Sequence, residues 1–415
     1  MSCDNLNSGP SNPSYVAIGG TNVDAFGRLR VSEPYTMFDS SNRYAVDNQF
    51  DTSTVTGGST TFLPNEAAVR MDVTTASGAE VVRQSYRSML YQPGKGLLVL
   101  ATFVMNAAKA NLRQRVGYFG TENGLYFEVT GAAPGTNAFV MRTYISGSVD
   151  NTTRRVEQSA WNGDKLDGTG PSGLTLDLTK PQILWFDFEW LGVGSVRCGF
   201  IINNQYIVCH TYQTANVYGT SVYMTTAILP IRYEITNTAA TATASFLKQI
   251  CSSVMSEGGL EPASIDHVAV RPTALTSVGT TLVPLVSIRL LSTALGAVVL
   301  PSAVKVIPTS ADSFEIQLVK NATLTGASYS AVPSDANVQF DIAATAMTGG
   351  TVVQIDYAAS SNQGTTALNP ISAFNWDYQL GASLAGTSDV YTVGVRVFTG
   401  TGDIIGSLTF YDLTQ

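Results

Sequence analysis

Between Ile183 and Tyr212 the chain reads ILWFDFEWLGVGSVRCGFIINNQYIVCHTY, and its large apolar side chains recur at every second position. Leu184, Phe186, Phe188 and Trp190 alternate with Ile183, Trp185, Asp187 and Glu189, which is the period of a half-buried strand and not of a helix. A three-residue loop at Gly192, Val193 and Gly194 then sets Phe188 opposite Cys198, Phe186 opposite Phe200 and Leu184 opposite Ile202. The same register puts Glu189 against Arg197 on the other face. A two-residue turn at Asn203 and Asn204, a residue type that tolerates positive φ, places Cys198 opposite Cys209 and Arg197 opposite His210. Three antiparallel strands with one dry face are predicted. The second face carries Trp185, Ile201, Tyr206, Val208 and His210, a mixed set that suits solvent, another layer, a subunit contact or a sugar-stacking surface.

Similar alternation, broken by Gly, Pro, Asn and Ser, predicts earlier strands at 69–73, 81–86, 97–105, 114–119, 125–129 and 138–145, and later ones at 221–226, 231–236 and 245–251. Asn123 and Gly124 in VGYFGTENGLYFEV supply the positive-φ pair of a hairpin. Only residues 106–113 read as a helix. Strands at this spacing predict an all-β fold, with a jelly-roll or concanavalin-like β-sandwich over residues 46–258. Gly and Pro in SEGGLEPASIDHVAVRP, residues 256–272, mark a boundary. Beyond it, strands at 285–290, 297–300, 303–307, 314–320, 338–343, 352–357, 391–398 and 404–411 predict a smaller C-terminal β-sandwich over residues 259–415. Residues 1–45, first polar and proline-containing and then extended around Pro34, are expected to form an N-terminal docking arm.

Composition narrows the function classes. Charged residues make up 13% of the 415, and the net charge is −8 with no basic run longer than Arg154-Arg155, so nucleic acid is not an expected partner. Cys3, Cys198, Cys209 and Cys251 lack any CxxC spacing, and His210 and His267 are the two histidines. No metal site or other cofactor is expected from them. Cys198 facing Cys209 leaves two readings open, a bridge or a pair of buried thiols. The first residues lack the pattern of a secretion signal, and no stretch approaches the ~18 apolar residues of a membrane span. Synthesis in the cytoplasm is therefore expected. The part beyond residue 258 holds five basic and eleven acidic residues, so most of the negative charge lies there.

Candidate chemistry is sparse. Neither histidine sits in a nucleophile-elbow or triad pattern. Asp187 and Glu189 share a strand face at a spacing that suits the paired carboxylates of a polysaccharide depolymerase, although Glu189 has Arg197 as an expected partner. The loop NGDKLDGTGPSG, residues 162–173, carries Asp164 and Asp167 among glycines that let a backbone bend around calcium, but it lacks the order of a known calcium loop. QPGKG, residues 92–96, reads as a hairpin turn. The chain is expected to be non-enzymatic.

The run VDAFGRLRVSEPYTMFDSSNRY, residues 23–44, resembles a segment near the N-terminus of virion structural proteins of tailed bacteriophages, including cyanophages and other marine or large phages. The resemblance continues through YQPGKGLLVLATFV, RQRVGYFGTENGLYFE, DGTGPSGLTLDLTKPQILWFDFEWLGVGSVRCGF, LPIRYEI and ICSSVMSEGG, and covers most of residues 20–260. It is weaker in NATLTGASYSAVPSDANVQFDIAATAMTGGTVV. It implies a structural protein of the tail, baseplate, fibre or neck, with other virion proteins and further copies of itself as partners, and carries over no catalytic residue. A homotrimer is expected, with Phe26, Arg28, Arg30, Pro34, Tyr35 and Phe38 as its assembly residues. The alternatives are a capsid decoration protein and a receptor-recognition module that binds a host-surface glycan through Trp185, Tyr206 and His210.

Overall fold

The computed structural model describes residues 33–259, 264–332, 336–358, 366–368 and 376–414. Phe26, Arg28 and Arg30 lie outside the described residues. The alternating runs of the first part become β1 (Pro34–Ser41), β2 (Phe50–Val55), β3 (Gly58–Leu63), β4 (Ala68–Val73), β5 (Glu80–Ser85), β6 (Leu97–Met105), β7 (Leu112–Phe119), β8 (Gly124–Thr130), β9 (Thr136–Ile145), β10 (Ser148–Asp150), β11 (Arg155–Glu157), β12 (Gln182–Phe188), β13 (Val196–Ile202), β14 (Gln205–Tyr212), β15 (Ile231–Asn237) and β16 (Ser245–Glu257). They form two eight-stranded sheets. One runs β14-β13-β12-β6-β16-β4-β3, with β1 also on β16; the other runs β10-β9-β8-β7-β15-β5-β2, with β11 on β9.

One face of each sheet is apolar because side chains alternate, and the two faces close on each other. Phe186 and Phe200 of the first sheet meet Phe127 and Phe139 of the second. The Phe127 and Phe200 rings stand perpendicular at 5.2 Å, and Trp161 from a connecting segment closes on Phe139 at 4.6 Å. This is an all-β, jelly-roll type sandwich.

The second part contains β17 (Asp266–Val278), β18 (Val283–Leu290), β19 (Val299–Pro308), β20 (Phe314–Lys320), β21 (Thr323–Thr325), β22 (Ser330–Ala331), β23 (Val338–Asp341), β24 (Ala346–Thr348), β25 (Thr351–Ala358), β26 (Thr366–Leu368), β27 (Val390–Val397) and β28 (Gly402–Asp412). A four-stranded sheet, β17-β28-β19-β26, packs on a six-stranded one, β22-β23-β18-β27-β20-β25, with Ile288, Phe314, Val395, Leu408 and Phe410 in the core between them. It is the smaller C-terminal sandwich.

Several local expectations are corrected. Residues 106–113 form no helix: Gln114 Oε1 accepts from Asn106 N–H, Asn111 takes a left-handed φ of 65°, and β7 begins at Leu112. Residues 221–226 are irregular, held partly by Asn123. The Asn123-Gly124 hairpin turns through Gly120–Asn123, with Gly120 N–H bonding the Asn123 carbonyl at 2.9 Å. In the central trio, Phe188 faces Val196, Phe186 faces Cys198 and Leu184 faces Phe200, a slip of two residues that keeps every side chain on its predicted face. The connection after β12 is longer than three residues and makes Asp187, not Glu189, the partner of Arg197. β13 and β14 keep the Asn203-Asn204 turn, but a bulge beyond Gly199 sets Cys198 opposite His210, and both thiols stay free. β17 begins at Asp266, inside the stretch expected as a boundary, and it tolerates Pro272 because it ends its sheet.

The described part of the expected arm is a strand of the chain's own sheet. β1 pairs with β16 from Pro34 opposite Glu257 to Ser41 opposite Cys251. Phe38 is buried against Phe50 at 5.8 Å, Tyr35 is half-buried on the same core, and Pro34 is exposed at the strand's start, where its missing N–H costs no ladder bond. The expectation that Phe38 meets a neighbouring protomer is therefore corrected, since it packs within its own chain, while Tyr35 packs on the same core and stays partly exposed. Phe38→Ala is expected to lower unfolding stability by about 3–5 kcal/mol in urea denaturation. A loss below about 1 kcal/mol would contradict this packing.

Candidate functional site

The outer face of the central trio does not offer the open ring surface that its sequence suggested. Trp185 is 1% exposed because β12 lies between β13 and β6. Gly199 stands opposite it and leaves room for the indole, which meets the half-buried Tyr206 edge-on at 5.6 Å. His210 is also buried, and its ring stands edge-on to Tyr212 at 4.5 Å. Asp187 is buried beside Arg197, whose Nε lies 3.1 Å from Oδ2, and Glu189 is fully buried.

The glycine- and aspartate-rich loop has a structural explanation. Gly163 and Asp164 donate their N–H groups to the carbonyls of Cys209 and Val208, both at 2.9 Å, so the loop covers the outer edge of β14. Asn162 adds two bonds to the Thr211 backbone, at 2.8 and 2.9 Å, and donates its own N–H to His210 Nδ1 at 3.3 Å. The approach is close enough that a Cβ on Gly163 would lie 2.3 Å from the Val208 carbonyl. Asp164 turns its carboxylate inward, accepting from Leu166 N–H at 2.9 Å and Ser172 N–H at 2.6 Å. Burial pushes this carboxyl up, but those bonds outweigh it and hold the group below its usual range. Asp167 accepts from Thr169 instead, and no metal-binding cluster occurs among the described residues.

The outer face of the other sheet carries a charge network that sequence reading missed. Glu128 pairs with Arg115 at 2.7 Å and Arg155 at 3.2 Å, while Glu234 pairs with Arg113, Arg115 and Arg232 at 3.0–3.2 Å. Arg142 lies over Phe119 and Tyr126, at 5.4 and 5.0 Å, and donates to the Gly120 carbonyl. Its signal was present in RQRV and IRYEI, where charges alternate with core residues. Which face those charges share depends on pairing between β7, β8 and β15.

The two sandwiches touch. Val298, Leu300, Trp376 and Leu413 join the first core, Gln379 Nε2 donates to the Ser88 carbonyl at 2.8 Å, and Leu384 N–H donates to Asp51 at 2.7 Å. Beside this contact lies a crevice of about 340 Å3, walled by residues 84–88, 120–123 and 226–232 on one side and 295–296 and 382–386 on the other. A second hollow of about 270 Å3 shares Leu295 and Gly386 with it and continues past Arg289, Gln339 and Ser388. The hairpin signal at Asn123 and Gly124 overlaps one of these segments, but the five come together only through the fold.

The chain matches no protein-family model and no curated protein sequence. Among solved structures it is similar to the carbohydrate recognition domain of Emp47p, at 11% identity over 55% of this chain and 98% of that one, with a TM-score of 0.34. It is similar to a Bacillus licheniformis beta-glucanase at 10% identity over 54% of this chain and 98% of that one, with a TM-score of 0.30. A third is the CBM2 module of the evolved Dit of Lactobacillus casei BL23 phage J-1, at 7% identity over 55% and 99%, with a TM-score of 0.34.

Two outcomes are expected from this geometry. A Cβ on Gly170 would sit 2.1 Å from Asp164 Oδ1, so Gly170→Ala should cost roughly 1–3 kcal/mol in chemical denaturation, whereas EDTA should leave the melting temperature of the parent protein unchanged. A calcium-dependent melting temperature would contradict the structural role of the loop. Burial pushes His210 down to about 4, so the folded chain keeps it neutral while the unfolded chain takes a proton near pH 6.5. Its contribution to stability is complete above pH 6.5 and declines as the pH falls towards 4. NMR titration should follow the low value, and His210→Gln should flatten that part of the stability profile.

Proposed function

We propose that this chain is a non-enzymatic structural protein of a tailed-bacteriophage particle, a tail, baseplate or neck component that works as an oligomer. The observation that carries the reading is an apolar edge of the second sandwich that no described strand pairs with. β25 ends its sheet, and Ile355 and Tyr357 on it are 49% and 59% exposed, with the Tyr357 ring 5.9 Å from that of Phe398. Edge strands that stay monomeric are usually blunted by charge or proline, and an apolar one invites a partner. Burial of Asp187 and Glu189 and the engagement of Asp164 and His210 support the absence of catalysis. The similarity of residues 20–260 to virion structural proteins supports the setting.

Light scattering on the purified protein should give an oligomer, with a trimer expected, and Ile355→Lys combined with Tyr357→Asp should shift it to monomer without lowering the melting temperature. A monomeric parent would remove the oligomer reading. Antibody raised to residues 259–415 should label the tail end or neck of intact particles; label spread over the head would replace this reading with a decoration protein.

A second reading, recognition of a host-surface glycan, is favoured by the crevice between the sandwiches.

A further inference from the structure

We infer that the crevice between the two sandwiches is the binding site for a neutral oligosaccharide, an inference that rests on the second reading above and gives it a place different from Trp185, Tyr206 and His210. At about 340 Å3 the crevice falls in the range of roughly 300–1,000 Å3 typical of small-molecule sites, and contacts between domains are a common location for them. Its walls combine two chemistries. Ile228, Leu229, Pro230, Leu295 and Leu384 supply an apolar surface, while Gln84, Glu122, Arg232 and Ser383 bring donors and acceptors to the same space. A pyranose carries the matching pair, apolar C–H faces and a rim of hydroxyls that both donate and accept.

The charges decide against other ligands. Arg232 is bonded to Glu234 through Nε and Nη2, at 3.2 and 3.0 Å, and to Gln84 Oε1 at 3.1 Å, so most of its N–H donors are already taken up within the sheet. Glu122 is exposed at the rim, and the whole chain is at −8, which disfavours an anionic polymer. A peptide strand would need a free sheet edge to pair with, and these walls are turns and strand ends. The second hollow is adjacent, with Leu295 and Gly386 in the walls of both, and a site drawn over the two suits successive units of a chain better than one isolated ring.

Gly386 needs its left-handed φ of 81°, but the other two glycines of the crevice have no such backbone reason. Gly120 and Gly296 line it, and neither has the left-handed φ that demands glycine. An added Cβ would come no nearer than 3.9 Å to Leu229 at the first and 3.7 Å to Ser88 Oγ at the second, so either position accommodates a side chain. Side chains there would fill the space. The floor is also rigid: Tyr118 Oη donates to the Ala227 carbonyl at 2.7 Å and accepts from Leu229 N–H at 3.1 Å.

The test is an array of neutral glucose-, galactose- and N-acetylglucosamine-based glycans, from monosaccharides to hexasaccharides, probed with the full chain. Titration calorimetry of the best hit then compares the parent with Gly296→Phe and Glu122→Ala. Binding that tightens with chain length and weakens about tenfold or more in both variants, with unchanged melting temperatures, is the expected result. Glycan binding that both variants retain would overturn this site while leaving the second reading intact, and binding equally tight to a monosaccharide would overturn the two-lobed form. No binding to any array member would overturn the site and the second reading together. The oligomer reading would be untouched in every case, because β25 and the crevice share no residue.

Discussion

The layer of aromatic rings between the two eight-stranded sheets is the interaction on which the rest of the molecule depends. Phe127, Phe139, Phe186 and Phe200 interlock at edge-to-face distances that no single sheet could provide, and this packing fixes which face of every strand points inward. Tyrosines then tie the two sheets together at the layer's margins. Tyr233 Oη reaches across to Ser252 Oγ at 2.8 Å and the Cys251 carbonyl at 3.1 Å, and Tyr212 Oη reaches the Phe139 carbonyl at 2.9 Å. Each places a phenol with a partner inside a dry core, where an unpaired hydroxyl would be costly.

This dependence explains how far the sequence could be read. Alternation survives translation into structure because it is a property of each strand, so most strands and the inward-facing residues of β12 and β13 were legible, whereas the bulge in β14 turns Tyr212 inward against its alternation. Register was legible only modulo two. Moving Phe186 from Phe200 to Cys198 changes no face, and only the loop conformation after Trp190, where Leu191 and Gly192 both take positive φ, decides between the two. The bulge at Cys209 was hidden for a similar reason: it arises where the 162–164 segment joins the edge of β14, some forty-five residues away in the chain.

Site residues were harder still, because accessibility is a property of neighbours. Trp185 looks like a surface ring in its strand and becomes buried once β13, β6 and Tyr206 are in place. Asp164 looks like a cation ligand and proves to be an acceptor for its own loop. The walls of the crevice come from five separated segments, and the alternation and turn signals within some of them say nothing of one another, so no local reading could assemble them.

A low content of charge also has a consequence for assembly. The first sandwich spends much of its charge in the buried Arg115, Glu128 and Glu234 network, where removing one partner would strand another, and this specifies the sheet more than it stabilises it. Those arginines and glutamates are then absent from the edges, where charge would otherwise discourage pairing. In the second sandwich, Arg396 and Glu315 pair at 2.8 Å beside β25, which leaves Ile355 and Tyr357 as the dominant exposed chemistry of that strand. A chain with this distribution gains solubility when its edges are covered by a partner, and the crevice, built from turns and strand ends elsewhere, stays open when they are. The proposed assembly and the proposed recognition would thus draw on different parts of one protomer, the first on strand edges that pair on one side among the described residues and the second on the joint between the two cores.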